Sequence, residues 1–288
     1  MIVARRAEEL PATERAIALG SFDGVHIGHR SVLEAAQAAG LTTTVVTFWP
    51  HPRTVLGNRV ELLTTLERRL ELLAEAGMDE ALVVEFTPEL AQLEPLDFAE
   101  SLLRRIGARV VAVGENFRFG RGAAGTPALL AEAGFDLRSV PPVEGASSTR
   151  IRQLLRAGEV ERAATLLARP AEVEGVVVLG DQRGGTLGYP TANLDAPPDL
   201  IIPAYGIYAG AALGHRAAVS IGVNPHYGGS ERRIEPYLLD FDCDLYGQRL
   251  IVELWRRLRD ERAFESEEDL VLQMARDVEA TRLAEPPV

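Results

Sequence analysis

The sequence predicts an α/β domain built on a parallel sheet, followed by a small antiparallel barrel or sandwich that ends in a helix. Three observations carry this. From residue 16 to about 169, short apolar runs alternate with stretches of helical periodicity, the pattern of strands joined through covering helices. From residue 171 the runs are short, β-rich and divided by turns, and helical periodicity is largely absent until Ser266. A chain of 288 residues also exceeds the usual size of one domain, so two cores are expected, 1–169 and 170–288, with Pro170 at the boundary.

The first strand is the apolar run 16–19, which ends in a glycine-rich turn before an alanine-rich helical stretch. The string ALGSFDGVHIGHR, residues 18–30, thus reads as strand, tight loop and helix start. Gly20 and Gly24 lack a Cβ, so backbone N–H groups can approach a ligand, and a helix N-terminus adds unpaired donors and partial positive charge. Residues three apart share a helix face, so His26 and His29 can both donate to one group of oxygens. The residues point to a nucleotide-phosphate site; for either histidine alone, a surface residue or a cap is the simpler reading.

The run TTTVVTF, 42–48, is β-branched, and 65–76 repeats leucine at Leu66, Leu70 and Leu73 before Gly77 stops it. ALVVEF, 81–86, is the third strand, a helix is expected near 96–106, and RVVAVG, 109–114, is the fourth strand. Ligands of such a sheet bind beyond the carboxyl ends of its strands. FWPHPR after the second strand and GENFRFGRGAAGT after the fourth are therefore candidates for the same crevice as the histidine loop. His51 in the former reads as a loop residue, closer to nucleotide than His215. In the latter Asn116 offers donor and acceptor, and Phe117 and Phe119 could stack on a ring, though taken alone the stretch reads equally well as a flexible surface loop. In SSTRIRQLL, 147–155, Ser148 can cap a helix whose first turn carries Arg150 and Arg152, a second anion site suited to the β- and γ-phosphates of a nucleotide.

In the second half AEVEGVVVLG, IYAGAAL, RAAVSIGV, RIEPYLLDF and LIVELW supply the strands. Between the first two lies GYPTANL, within a stretch whose glycines at 180, 184, 185 and 188 could wrap a phosphate chain. Thr191 and Asn193 present oxygens at alternate positions of one face, and a hydroxyl and an amide oxygen can both serve Mg²⁺. Taken alone, the stretch reads more simply as a glycine-rich hairpin stopped by Pro190. The final helix starts with Ser266 and Asp269 in a capping-box arrangement and presents Leu270, Met274 and Val278 on one face, to pack on the barrel. His215 reads as a loop residue.

Composition narrows the function classes. Net charge is −12, with a pI near 5.0, which disfavours nucleic acid and anionic membrane as partners. No run approaches the length of a membrane-spanning helix and the first twenty residues have no secretory pattern, so a cytoplasmic protein is expected. The single cysteine, Cys243, cannot form an internal disulfide, which suits a reducing compartment. Residues 283–288 read as a frayed tail.

HIGH, placed after a strand and a GSFDG turn, resembles the HxGH signature of nucleotidylyltransferases, which transfer a nucleotidyl group from ATP with release of pyrophosphate. GSFDGVHIGH, FWPHPR, GENFRFG and SSTRIR, followed by GYPTANL, GIYAG, SIGVNP and DLYGQ, resemble over nearly the whole chain the bacterial bifunctional riboflavin kinase/FAD synthetase family. GYPTANL is similar to the PTAN motif of riboflavin kinases. The resemblance implies an α/β Rossmann-like nucleotidylyltransferase domain that adenylylates FMN to FAD, and a riboflavin kinase-like antiparallel β-barrel with a C-terminal helix that phosphorylates riboflavin to FMN. Each would use its own MgATP.

The resemblance further implies that His26 and His29 contact the ATP phosphates. Gly20, Phe22, Asp23, Gly24, Asn116, Ser147, Ser148, Thr149 and Arg152 would help to hold that ATP. Gly180, Gly185, Gly188, Thr191, Asn193 and Arg259 would bind ATP and flavin in the kinase, with Thr191 and Asn193 at Mg²⁺ and Arg259 towards the flavin end. Glu235 would accept the proton of the riboflavin 5′-hydroxyl. Two residues depart from the family pattern: His226 stands where threonine is usual, and Pro236 where a strand former is usual. Proline removes a ladder donor and is expected to confine its strand to an edge or a bulge. The alternatives are a monofunctional FMN adenylyltransferase with an inactive kinase-like domain and a non-catalytic flavin-binding regulator. The partners expected are riboflavin, FMN and ATP, with homo-oligomerisation left open.

Overall fold

In a computed structural model, which describes residues 1–180, 187–223 and 232–287, the chain divides into two compact units, Met1–Ser148 and Thr149–Val288. Gly184, Gly185 and His226 lie outside the described residues. The division falls ahead of the boundary expected at Pro170, so residues 149–169 group with the second unit.

The first unit is a sheet of parallel strands: β1 (Ile2–Ala4), β2 (Arg15–Leu19), β3 (Thr42–Trp49), β4 (Glu80–Glu85), β5 (Ala108–Gly114) and β6 (Asp136–Val140), in the order β1-β4-β3-β2-β5-β6. β2 is buried along its whole length, as a central parallel strand must be. Its alternation divides it between two cores. Ile17 and Leu19 join Val46, Leu82, Val111 and Phe98 on one face, whereas Ala16 and Ala18 meet Val32, Leu33, Leu72 and Leu73 on the other. The small alanines receive the helices Ile27–Gln37 and Leu66–Glu75, the latter capped by Thr65, whose hydroxyl accepts from Arg68 N. The helix expected near 96–106 begins as Pro95–Phe98 and continues as a wider π turn over Ala99–Arg104.

A buried ion pair ties three strands together at the amino-terminal end of the sheet. Arg15 Nε donates to Glu80 at 2.7 Å, and Thr44 Oγ1 donates to the same carboxylate at 2.6 Å. At the opposite end the strand order reverses: β3, β4 and β1 extend to one side of β2, and β5 and β6 to the other. The loops after β2 and β5 are thereby forced apart, which opens a crevice at this switch point.

The second unit begins one residue into the helix Ser148–Arg156, continues with the helix Val160–Leu167 and closes as an antiparallel barrel. Its strands are β7 (Ala171–Val178), β8 (Asn193–Asp195), β9 (Gly206–Ala212), β10 (His215–Val223), β11 (Arg232–Leu238) and β12 (Arg249–Arg259), in the order β10-β11-β8-β7-β12-β9. β9 and β10 are joined by Leu213 and Gly214, both at positive φ (53° and 80°), as a tight hairpin turn demands. β12 carries two register shifts against β9, between Leu254 and Arg256 and between Arg257 and Arg259. Gly210 is required where β9 crosses β12, because a Cβ there would stand 1.8 Å from the Glu253 carbonyl oxygen.

β11 is an interior member of this closed ring, which corrects the expectation that Pro236 confines it to an edge or a bulge. The Pro236 carbonyl accepts from Ala192 N at 3.0 Å, so the proline nitrogen faces the same side, just ahead of short β8. The β10 ladder therefore loses no donor. The C-terminal helix, Glu267–Leu283, has Ser266 as N-cap, accepting from Asp269 N at 3.1 Å. The helix packs on β9 and β10, as the sequence predicts, and its Leu270, Met274 and Val278 also line a cavity in this unit.

Candidate active sites

The crevice of the first unit is a cleft of about 430 Å³. Its walls are Gly20, Ser21 and Phe22 after β2, Asn116, Phe117 and Arg118 after β5, and Pro141, Pro142 and Val143 after β6, with His26, Gly28 and His29 from the helix start. Of the predicted residues it unites Gly20, Phe22, His26, His29 and Asn116. Asp23, Gly24, Ser147, Ser148 and His51 are not among its lining residues. Thr149 and Arg152 belong to the first helix of the second unit. Phe119 is a core residue packed 5.6 Å from Phe98, so of the two phenylalanines expected to stack on a ring only Phe117 reaches the cleft.

The loop leading to the histidines has unusual backbone angles. Phe22, Gly24 and Val25 have φ of 50°, 85° and 39°, a region that costs a non-glycine residue about 1 kcal/mol or more. Asp23 holds this turn. Its buried carboxylate accepts from Leu63 N at 2.9 Å and Thr64 N at 3.2 Å and lies 3.5 Å from the fully buried Arg69 guanidinium. Ser148 Oγ donates to the Asp23 carbonyl at 3.0 Å. His51 caps the short helix Pro52–Val55 through Nδ1, which accepts from Arg53 N at 3.2 Å.

His26 is the N-cap of the helix Ile27–Gln37, with Nδ1 accepting from His29 N at 3.3 Å. This fixes its neutral tautomer with the proton on Nε2. The His29 ring stacks on that of His26, with centroids 3.6 Å apart and planes inclined by 17°, and Phe22 presents an edge to it at 5.3 Å. His29 as a whole is half-buried, but its Nδ1 is sheltered from solvent and has no hydrogen-bond partner among the described residues. Burial first, then His26 and the charge of Arg69, push the His29 pKa well below its usual 6.5. His29 therefore meets a ligand as a neutral imidazole, with the His26 ring stacked beside it. Gly28 lets them stack, since a Cβ there would stand 3.2 Å from the His26 ring.

The second unit holds two cavities. One, of about 350 Å³, lies between barrel strands and the C-terminal helix and is lined by Tyr189, Thr191, Glu235, Tyr237, Arg259, Glu261, Phe264, Met274 and Asp277, among others. The other, of about 180 Å³, is lined by Pro190, Thr191, Ala192, Pro236, Asp242, Cys243, Asp244 and Tyr246, among others. Thr191 lines both. Successive residues of β11 divide between them, Glu235 facing the larger cavity and Pro236 walling the smaller, as strand alternation requires. Glu235 lies 3.8 Å from Arg233. Burial raises the Glu261 pKa, and Arg259 opposes the rise. Gly180 admits the Asn193 carboxamide, whose Nδ2 is 2.1 Å from the place a Cβ would take, and Gly188 has φ of 84°. Among the described residues there is no cluster of three His, Cys, Asp or Glu side chains able to hold a metal. A metal held by a hydroxyl, an amide oxygen and phosphate oxygens needs none.

The cleft loop Pro141–Val143, Arg69 and the role of Gly28 are not foreseen from sequence. Arg69 shows only as one of a run of charged residues on a predicted helix, and its partner Asp23 lies 46 positions earlier.

A family model for FAD synthetase matches residues 9–152, and one for riboflavin kinase matches residues 167–284. The bifunctional riboflavin kinase/FMN adenylyltransferase of Listeria monocytogenes is 35% identical over 294 residues, covering 96% of this chain and 94% of the relative. That of Escherichia coli K12 is 37% identical over 281 residues, covering 91% and 90%. A crystal structure from Streptococcus pneumoniae, described as a macrolide-efflux protein, covers 99% of both chains with a TM-score of 0.87 at 31% identity. No described helix of the present chain is long and apolar enough to cross a membrane.

Proposed function

We propose, for a chain that belongs to the family of bifunctional riboflavin kinase/FMN adenylyltransferases, that the second unit phosphorylates riboflavin to FMN and the first adenylylates FMN to FAD. The observation that carries the reading is that each unit gathers its motif residues on its own cavity. His26, His29 and Asn116 meet in one, and Thr191 and Glu235 in another. A non-catalytic binder has no need of Glu235, and a monofunctional enzyme has no need of both cavities. We assign the functional division to Pro170, where the barrel strands begin, and the working compartment to the cytoplasm. With a net charge of −12, nucleic acid is not a partner.

In the kinase step Glu235 takes the proton of the riboflavin 5′-hydroxyl while that oxygen attacks the γ-phosphorus of ATP, and ADP leaves. A primary alcohol is a poor nucleophile at neutral pH, so a carboxylate on the cavity wall meets a physical requirement. Thr191, shared by the two cavities, marks where the γ-phosphate passes from nucleotide to flavin. The hydroxyl of Thr191 and the amide oxygen of Asn193, drawn close to the backbone by Gly180, suit a hard cation, and Mg²⁺ bound there would neutralise charge growing on the transferred phosphoryl group.

In the adenylylation step the FMN phosphate attacks the α-phosphorus of the second ATP and the bond to pyrophosphate breaks. The nucleophile is already an anion, so no base is needed. His26 and His29 donate N–H groups to the phosphate oxygens, beside the unpaired donors of the helix N-terminus. Gly20 and Phe22 shape the cleft floor and Asn116 its far wall. Ser147 and Ser148 belong to the same unit, and family resemblance alone extends the ATP-holding role to Thr149 and Arg152. Asp23 and Gly24 serve by holding the loop. In the kinase, Gly180, Gly185 and Gly188 admit the triphosphate and Arg259 meets the flavin.

Purified protein with riboflavin, ATP and Mg²⁺, followed by chromatography, tests this. FMN and FAD both form. His29→Ala lowers FAD formation by about 10²- to 10³-fold and spares FMN, whereas Glu235→Ala lowers FMN formation by about 10²- to 10⁴-fold and spares FAD formed from supplied FMN. Loss of both activities in either variant contradicts separate sites.

A further inference from the structure

We propose that Asp277 is a positioning residue of the kinase, acting on the flavin through Arg259. The inference rests on the kinase reading of the larger cavity in the second unit. Arg259 is the last residue of β12, directly after the second register shift of that strand, and bulges of this kind re-aim the side chains that follow. Its guanidinium enters the cavity wall, 5.9 Å from the Phe264 ring centroid.

What fixes it there is a carboxylate from another element. Asp277, on the C-terminal helix, is 6% exposed, and both its oxygens accept from Arg259 Nε, at 3.0 and 3.1 Å, while Oδ2 also accepts from Nη2 at 2.7 Å. Gln273 Nε2 donates to Oδ1 at 2.8 Å, one helical turn away, so the carboxylate is itself held. A bidentate pair shielded from water has one favoured geometry. Arg259 Nη1 donates to the Asp260 carbonyl at 2.9 Å. A guanidinium has five N–H donors, so this arrangement leaves one on each terminal nitrogen for the oxygens of a flavin. Without Asp277 the same side chain is free to turn towards the Glu261 carboxylate, which lines the same cavity.

The expected behaviour is a split between binding and turnover. Asp277→Asn keeps the shape but loses the charge and one acceptor, so the KM for riboflavin and the Kd from quenching of flavin fluorescence rise about tenfold, the scale of a charged hydrogen bond. kcat stays within about twofold, because Glu235 and Thr191 stand on other elements. Asp277→Glu, which restores the charge, recovers most of the affinity. Arg259→Met raises Kd by itself, and adding Asp277→Asn to it raises Kd no further, since the two act as one unit. Circular dichroism melting of each variant shows that the barrel is folded at the assay temperature. Additive effects in the double variant, an unchanged Kd in Asp277→Asn, or a fall in kcat at constant KM would overturn the inference. Full-length wild type that binds riboflavin without phosphorylating it would instead overturn the kinase reading, and the fluorescence cycle would still decide the role of Asp277.

Discussion

Gly28→Ala separates stability from catalysis within a single methyl group. Gly28 lies in the first turn of the helix Ile27–Gln37 at an ordinary helical backbone, so alanine is conformationally welcome and adds about 1 kcal/mol of helix propensity. Against this, the new Cβ would stand 3.2 Å from His26 Cε1, 3.3 Å from its Nδ1 and 3.9 Å from Ala146 Cβ. Relief requires the imidazole to retreat by a few tenths of an ångström. It has little room, because the ring is stacked on His29 at 3.6 Å and its Nδ1 is bound to His29 N. The two rings must therefore move together, off the positions from which we propose that they meet phosphate oxygens. A misplacement of about 1 Å in a reacting geometry costs roughly 10²-fold, so a shift of a third of that costs about five- to tenfold in the kcat for FAD formation. Helix propensity and the residual clash nearly cancel, leaving the melting temperature of the first unit within about 3 °C of wild type. The assay is adenylylation of supplied FMN, with riboflavin phosphorylation in the same preparation as the control. Unchanged FAD formation at unchanged stability would refute the claim that Gly28 exists for ring packing, and an equal loss of both activities would show general damage instead.

Acid lability and barrel closure offer two further checks. Folded His29 has its pKa well below 6.5, so as pH falls through 6.5 the unfolded chain takes up a proton that the folded chain refuses. Denaturant unfolding of the first unit therefore loses stability below that pH, by at most about 1.4 kcal/mol per pH unit, and His29→Gln removes this part of the slope; equal slopes in both proteins would refute it. Gly210→Ala forces a Cβ to within 1.8 Å of the Glu253 carbonyl oxygen, so the β9–β12 ladder must part, at a cost above about 3 kcal/mol. Calorimetry should then show the barrel transition lost or shifted far down while the transition of the first unit persists; a barrel as stable as wild type would contradict the crossing geometry.

Where function is written in contiguous residues, the sequence is easily read. HIGH follows β2 because strand, glycine turn and helix cap are local features, and β2, β3 and β5 declare themselves through runs of residues buried on both faces. β1 and β6 do not. β1 is three residues long, and β6 is an edge strand with Asp136, Arg138 and Ser139 among its five residues, so neither bears an apolar pattern. β8 hides inside the PTAN stretch because its role in the ring rests on few pairings. Pro236 misleads for the opposite reason: a rule about lost donors is sound, but which side the missing donor faces depends on register, and register is set by β10 and Ala192. Asp23 is read from its motif as a ligand, yet its carboxylate is occupied by Leu63, Thr64 and Arg69, partners at least 40 positions away.

All thirty cationic side chains of this acidic chain are arginines, with no lysine among them, and only one, Arg118, stands among the residues lining the adenylylation cleft, beside the carboxylate of Glu115. Fixed positive charge is thus scarce among the residues that line this cleft. A permanent cation attracts substrate and transition state nearly alike, which deepens binding without accelerating the chemical step. Neutral imidazoles behave differently. On the proposed assignment, as negative charge accumulates on the α-phosphoryl oxygens and on the departing pyrophosphate, the N–H groups of His26 and His29 face a stronger acceptor, and the force that keeps His29 deprotonated, its burial beside His26 and Arg69, is offset by the growing anion. Their stabilisation therefore rises along the reaction coordinate. The depressed pKa of His29, the stacked pair and the small residue between them are three faces of one arrangement, in which an uncharged His29 is held rigid until the reaction supplies the charge it answers.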